Sequence, residues 1–245
     1  MRTTLEKRVI LALDVSERKQ AMALVAQLAA HAAMFKIGLE LFTLYGPEIV
    51  ADVRAAGGRV MLDLKLHDIP NTVRRASANV ARLGVDLLTI HAGGGSAMIR
   101  AAVEGVKECE QATGRPGPLV LAVTVLTSLD QTILANELGV ARPLQKHVWH
   151  LAELARKAGA AGVVASPLEV ENLRGICGDE LLIVTPGIRP SGSPPDDQKR
   201  TQTPAEAVQA GADYLVIGRP VLQADDPVAV LEQMNREIAA HSLIR

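Results

Sequence analysis

Two lysines interleaved with carboxylates form the chemically loaded part of this chain. In the stretch Val60 to Thr72, Asp63, Lys65 and His67 recur at every second residue. An extended backbone would put these three on one face, with Leu62, Leu64 and Leu66 on the other. Asp68 follows directly after His67. A strand enclosed by a parallel sheet normally reads as a near-continuous apolar run. Charges on such a strand have to pair or serve a site, because isolated ions are costly to bury. Lys36, inside another apolar segment, offers a second ammonium for the same place. An alternating Lys–Asp–Lys–Asp array favours the charged form of each lysine. An ammonium held rigidly in that way can act as a general acid. The same alternation argues against a divalent metal, since ammonium groups fill the space between the carboxylates. No cofactor is expected.

Such an array needs a scaffold that brings distant segments to one place. Segments rich in Val, Ile and Leu run Val9–Asp14, Met34–Gly38, Arg59–Lys65, Asp86–His91, Leu119–Leu126, Gly162–Ala165, Leu181–Thr185 and Tyr214–Gly218. Between them lie Ala-rich stretches with apolar spacing of three and four, as in Ala21-Met22 through Leu28-Ala29. Ser16 is placed to cap the first helix, and Gly57, Gly84, Gly159 and Gly211 sit where helices hand over to strands. Alternation of strand and helix implies parallel pairing with right-handed crossovers. Eight units predict a single-domain (β/α)8 barrel over residues 1–245, with an open doubly wound sheet as the fallback. The one polar, breaker-rich segment is Arg189 to Thr203, which reads as a lid or binding loop, or else as an excursion without a role.

A barrel of this class places its site at the carboxyl ends of its strands. The polar residues collected there are Asp14, Lys36, Asp63, Lys65, Asp68, His91, Thr127, Pro186-Gly187-Ile188-Arg189 and Gly218-Arg219. The ends of strands 7 and 8 commonly hold phosphate, and two Gly/Arg pairs are suited to binding it. Glycine allows close backbone approach, and guanidinium forks match phosphate oxygens. Turn glycines beside solvated arginines are the bland alternative. Gly93-Gly94-Gly95-Ser96 needs no ligand, because tight packing and a cap by Ser96 explain it. Asp68 can be a helix N-cap before Pro70 as well as a site residue. His67 reads mainly as a structural hydrogen-bonding group, and His91 as a neighbour of the site. The array as a whole could instead brace the barrel, although buried ion pairs are a poor source of stability.

Composition narrows the function classes. The chain has 245 residues, a formal net charge of −1 and only 2% aromatic residues. It therefore lacks the basic footprint and stacking platforms of a nucleic-acid binder. No stretch approaches a membrane span or a signal-peptide core. Cys109 and Cys177 do not make a disulfide framework in a chain this long, so reduced thiols and a cytoplasmic location are expected.

Over its full length the chain resembles the orotidine 5'-phosphate decarboxylase family of the bacterial type. The resemblance rests on Asp63-Leu64-Lys65-Leu66-His67-Asp68-Ile69-Pro70-Asn71-Thr72, which matches the family's D-x-K-x-x-D motif and its surroundings. Supporting matches are Leu13-Asp14, Lys36-Ile37-Gly38, Val125-Leu126-Thr127-Ser128, Thr185-Pro186-Gly187-Ile188-Arg189, Asp197-Gln198-Lys199-Arg200 and Ile217-Gly218-Arg219-Pro220. It implies cofactor-free decarboxylation of orotidine 5'-monophosphate to UMP in pyrimidine biosynthesis, by a lyase. Lys65 is then the group that stabilises and protonates C6, Asp63 faces the departing carboxylate, and Lys36 and Asp14 contact the ribose. Thr127, with Ser128 near it, borders the pyrimidine. Pro186 belongs to the substrate site, while Arg189, Gln198, Gly218 and Arg219 hold the phosphate under the closing segment 189–203. Asp68 and Thr72 enter from the other subunit, which implies a homodimer. The alternatives are a Mg-dependent 3-keto-gulonate-phosphate decarboxylase or hexulose-phosphate synthase barrel, and a non-catalytic phosphate-binding barrel.

Overall fold

Eight apolar segments become eight parallel strands that close on themselves in sequence order. The computed structural model describes residues 7–189 and 202–242. The strands are β1 (Val9–Ala12), β2 (Met34–Ile37), β3 (Val60–Leu66), β4 (Leu87–His91), β5 (Leu119–Val123), β6 (Gly162–Val164), β7 (Leu182–Thr185) and β8 (Tyr214–Ile217). The helices along the outside are α1 (Arg18–Leu28), α2 (Leu39–Tyr45), α3 (Pro47–Ala55), α4 (Pro70–Arg82), α5 (Gly95–Thr113) and α6 (Gln131–Asn136). They continue as α7 (Leu144–Lys157), α8 (Val170–Cys177), α9 (Pro204–Ala210), α10 (Arg219–Leu222) and α11 (Pro227–Ser242). Pairing of β1 with β8 closes the ring, so the open sheet is excluded.

Apolar side chains fill both faces of the strand ring, which is why the strands read as unbroken hydrophobic runs. Inside it lie Ile10, Met34, Met61, Leu87, Leu121, Val184 and Val216. Outside it, Val9, Leu11, Phe35, Leu62, Leu88, Val120 and Ile183 pack against the helices. On β3 the inward position after Met61 is Asp63, a carboxylate buried among strand interiors. The array is therefore set into the barrel wall.

β3 also departs from regular strand geometry. Its register against β4 runs Leu62↔Leu88 and then Leu66↔Ile90, so four steps on one strand match two on the other. Lys65 sits inside this bulge with φ +50°, the one non-glycine residue with positive φ among the described residues. Strict alternation of Asp63, Lys65 and His67 fails for this reason. Bulges re-aim side chains beside active sites, and this one occurs at the lysine.

Several helix ends differ from the sequence reading. Ser16 does not cap α1; its hydroxyl donates to Glu40 Oε1 at 2.5 Å. Ser96 lies within α5 and accepts from Arg100 Nη2, because the helix already starts at Gly95. Asp68 is not the N-cap of α4 either: Ile69 holds that position, and Asp68 Oδ1 accepts the Ile69 N–H at 2.6 Å. The handover glycines Gly57, Gly84, Gly159 and Gly211 do stand where expected, all with positive φ. Cys109 and Cys177 are buried free thiols, and burial raises the pKa of Cys177. Among the described residues no helix is long and apolar enough to cross a membrane.

Candidate active site

The barrel's inner surface opens at the carboxyl ends of its strands into a cavity of about 270 Å³. Its floor is made by Ala12, Met61, Val123, Val164 and Val216 from five strands. One wall carries Asp14, Lys36, Asp63 and Lys65; Thr127 and Ser128 border it after β5. Pro186, Arg189, Gly218 and Arg219 complete it from the ends of β7 and β8. In strand order β7 stands four places round from β3, so Arg189 and Lys65 face each other across the mouth, while Arg219 follows β8, next to β1.

The array runs Asp14–Lys36–Asp63–Lys65. Lys36 Nζ donates to Asp14 Oδ1 at 2.9 Å and lies 3.9 Å from Asp63 Oδ2. Lys65 Nζ donates to the same Asp63 Oδ2 at 2.9 Å. Asp63 is the most enclosed member, its side chain 10% exposed against 55% for Asp14. Its other oxygen, Oδ1, accepts from Thr89 Oγ1 at 2.8 Å. The central carboxylate thus has both oxygens committed, one to a hydroxyl and one to the ammonium groups.

Two glycines lie close against these charges, where a side chain would press on the ends of Lys36 and Asp14. A Cβ on Gly38 would sit 3.2 Å from Lys36 Nζ, and one on Gly218 would sit 3.2 Å from Asp14 Oδ2. Arg189 is half-buried; its Nη1 donates to the Ile188 carbonyl and its backbone N–H to Gln202 O at 3.0 Å. A parallel bridge between Ile188 and Gln202 ties together the two ends of segment 189–203. Gln198 lies outside the described residues.

His67 does not take up the hydrogen-bonding role expected of it. It is exposed, lies outside the cavity and tilts against the His91 ring with centroids 5.3 Å apart. His91 has its pKa lowered, first by burial and then by the positive charges of His67 and Lys65, against the opposing pull of Asp63. Asp68 and Thr72 are exposed and lie outside the cavity of their own chain. The expected order with Lys65 between Asp63 and Asp68 is therefore absent within one chain. Thr89 was not singled out in the sequence, although a signal existed: it is the polar member of Leu87-Leu88-Thr89-Ile90, at the inward parity set by Leu87.

These features define a (β/α)8 barrel with a charged, partly enclosed small-molecule site at its carboxyl face. Residues 7–234 match the Orotidine 5'-phosphate decarboxylase / HUMPS family model, and the chain belongs to that family. It is 52% identical over 231 residues to the orotidine 5'-phosphate decarboxylase of Moorella thermoacetica, covering 94% of this chain and 92% of the relative. It is 50% identical to that of Syntrophomonas wolfei, covering 91% of this chain and 94% of the relative. The crystal structure of the Lactobacillus acidophilus orotidine 5'-phosphate decarboxylase superposes with a TM-score of 0.84 at 39% identity, over 95% of this chain and 99% of the other.

Proposed function

We propose that the chain converts orotidine 5'-monophosphate to UMP and CO2, as a lyase of pyrimidine biosynthesis. The observation that carries this reading is the Lys65 ammonium at 2.9 Å from a buried carboxylate, across a cavity from Arg189 and Arg219. Near-full-length similarity to named orotidine 5'-phosphate decarboxylases supports the choice of reaction. In that reaction the bond between C6 and its carboxyl carbon breaks heterolytically. CO2 departs and the electron pair stays on C6 as a vinylic carbanion without a conjugated sink. Stabilisation then has to come from fixed charge in a site held away from bulk water.

Lys65 supplies that charge and then the proton: its N–H bond breaks, a C6–H bond forms, and the neutral amine regains a proton from solvent. Asp63 faces the departing carboxylate and fixes Lys65. Lys36 and Asp14 hold the ribose hydroxyls, and Thr127 borders the pyrimidine. Pro186 borders the substrate, and Arg189, Gly218 and Arg219 take the phosphate, with Gln198 of the expected closing segment 189–203 assigned to it as well. Binding energy from the phosphate, remote from C6, can then be expressed in the transition state.

Asp68 and Thr72 act in the cavity of a second copy of the chain. Support comes from their exposure outside their own cavity, beside Ile69, an isoleucine 67% exposed. The Mg-dependent alternative needs an acidic group at the end of strand 2. Lys36 stands there instead, its ammonium between Asp14 and Asp63 where a bridging cation would sit. The test is loss of orotidine 5'-monophosphate absorbance with purified enzyme in excess chelator. Full turnover is expected; a metal requirement, or no turnover by folded protein, would overturn the reading.

A further inference from the structure

We infer that Thr89 is a positioning residue for the reaction: its hydroxyl ties the backbone of Lys65 to the carboxylate of Asp63 and so sets where the ammonium points. The inference rests on the functional reading above.

The need for such a tie follows from the bulge. Between the pairs Leu62↔Leu88 and Leu66↔Ile90, β3 contributes Asp63, Leu64 and Lys65 where β4 contributes Thr89 alone. The mismatch takes Lys65 out of the regular ladder, and a buried backbone N–H without an acceptor is strongly disfavoured. Thr89 supplies that acceptor from its side chain: the Lys65 N–H donates to Thr89 Oγ1 at 3.0 Å. The same hydroxyl donates its one proton to Asp63 Oδ1 at 2.8 Å. Both directions of the hydroxyl are thereby assigned.

Three consequences follow. First, Lys65 is held at φ +50°, a conformation that a non-glycine residue keeps only where its surroundings over-determine it. Second, Thr89 anchors Oδ1 and so fixes the orientation of the carboxylate whose other oxygen, Oδ2, takes the ammonium of Lys65 and faces Lys36. Third, Thr89 is fully buried, so water has no ready access to replace the hydroxyl. Backbone and side chain of Lys65 are thus both referred to one hydroxyl, which itself lies outside the cavity lining.

Valine keeps the shape of threonine and removes the hydroxyl, whereas serine keeps the hydroxyl and removes the methyl. Thr89→Val is expected to lower kcat by about ten- to a hundredfold, the effect of a small misplacement at a reacting centre. KM and affinity for UMP should stay close to wild type, because the phosphate and ribose contacts are untouched. Thr89→Ser should retain near-wild-type kcat even where its melting temperature falls. A crystal structure of Thr89→Val should show Lys65 out of the positive-φ region. Unchanged kcat in folded Thr89→Val, or Lys65 left in place there, would overturn the inference. Equal losses of kcat in the serine and valine variants would also overturn it, as would a lower melting temperature alone, and the serine arm decides the matter if the valine variant does not fold. An inactive wild type is a separate failure, since it would remove the functional reading itself.

Discussion

His91 shows how burial and charge act together beside the lysine–carboxylate array. Burial, His67 and Lys65 lower its pKa below the ordinary imidazole value of 6.5, with Asp63 opposing them. The unfolded chain therefore takes up this proton at a higher pH than the folded chain does. Stability from keeping His91 neutral is fully present above about pH 6.5 and is lost as pH falls through the lower folded value. Denaturant unfolding of wild type and His91→Gln at stepped pH checks this: the variant should lose less stability on acidification below that point. Parallel curves would contradict it. At this scale much of the site was legible in the chain. Asp63, Lys65 and Lys36 stood out because a strand buried on both faces is normally apolar and isolated ions are costly to bury. Thr89 did not, because a lone threonine in an apolar strand signals little until its neighbour across the ladder is known. His67 misled because period-two spacing assumes an unbroken strand.

At the scale of elements, the strands were readable and their junctions less so. A strand with both faces buried leaves a continuous apolar run such as Val9-Ile10-Leu11-Ala12, which its shortness and β-branched residues, rather than any period, mark as a strand. The bulge in β3 arises from pairing with β4, a relation between segments that lie far apart in the chain and that no local pattern records. Helix starts moved for a similar reason: Ser16 found a better partner in Glu40 than in its own helix end. Close packing between α4 and α5 is a further case. A Cβ on Gly105 would fall 2.1 Å from the Arg74 carbonyl oxygen, so the glycine sets how near the two helices approach. Gly105→Ala should destabilise the fold by about 1–3 kcal/mol through overpacking. Denaturant midpoints of the two proteins check it, and an equal or higher midpoint in the variant would show that the helices separate at no cost.

For the whole molecule, ring closure is what turns scattered residues into one site. Asp14, Lys36, Lys65, Thr127, Arg189 and Arg219 come from six strand ends and line a single cavity. Asp68 and Thr72 are carried past their own cavity, so one site on this account draws on two chains. Mixing Lys65→Ala with Asp68→Ala subunits tests that assignment. Random pairing makes half the dimers mixed, each with one intact and one doubly altered site, so about a quarter of wild-type activity should return. No recovery above the parent variants would place Asp68 in its own chain's site. The central claim is that the Lys65 ammonium is the proton donor to C6. It is tested most directly by turnover of orotidine 5'-monophosphate by folded Lys65→Ala beside wild type. The account predicts loss of turnover by several orders of magnitude with UMP still bound through the phosphate contacts. Retention of turnover within about tenfold of wild type would contradict it, since general acid catalysis alone typically contributes about 10²–10⁴-fold.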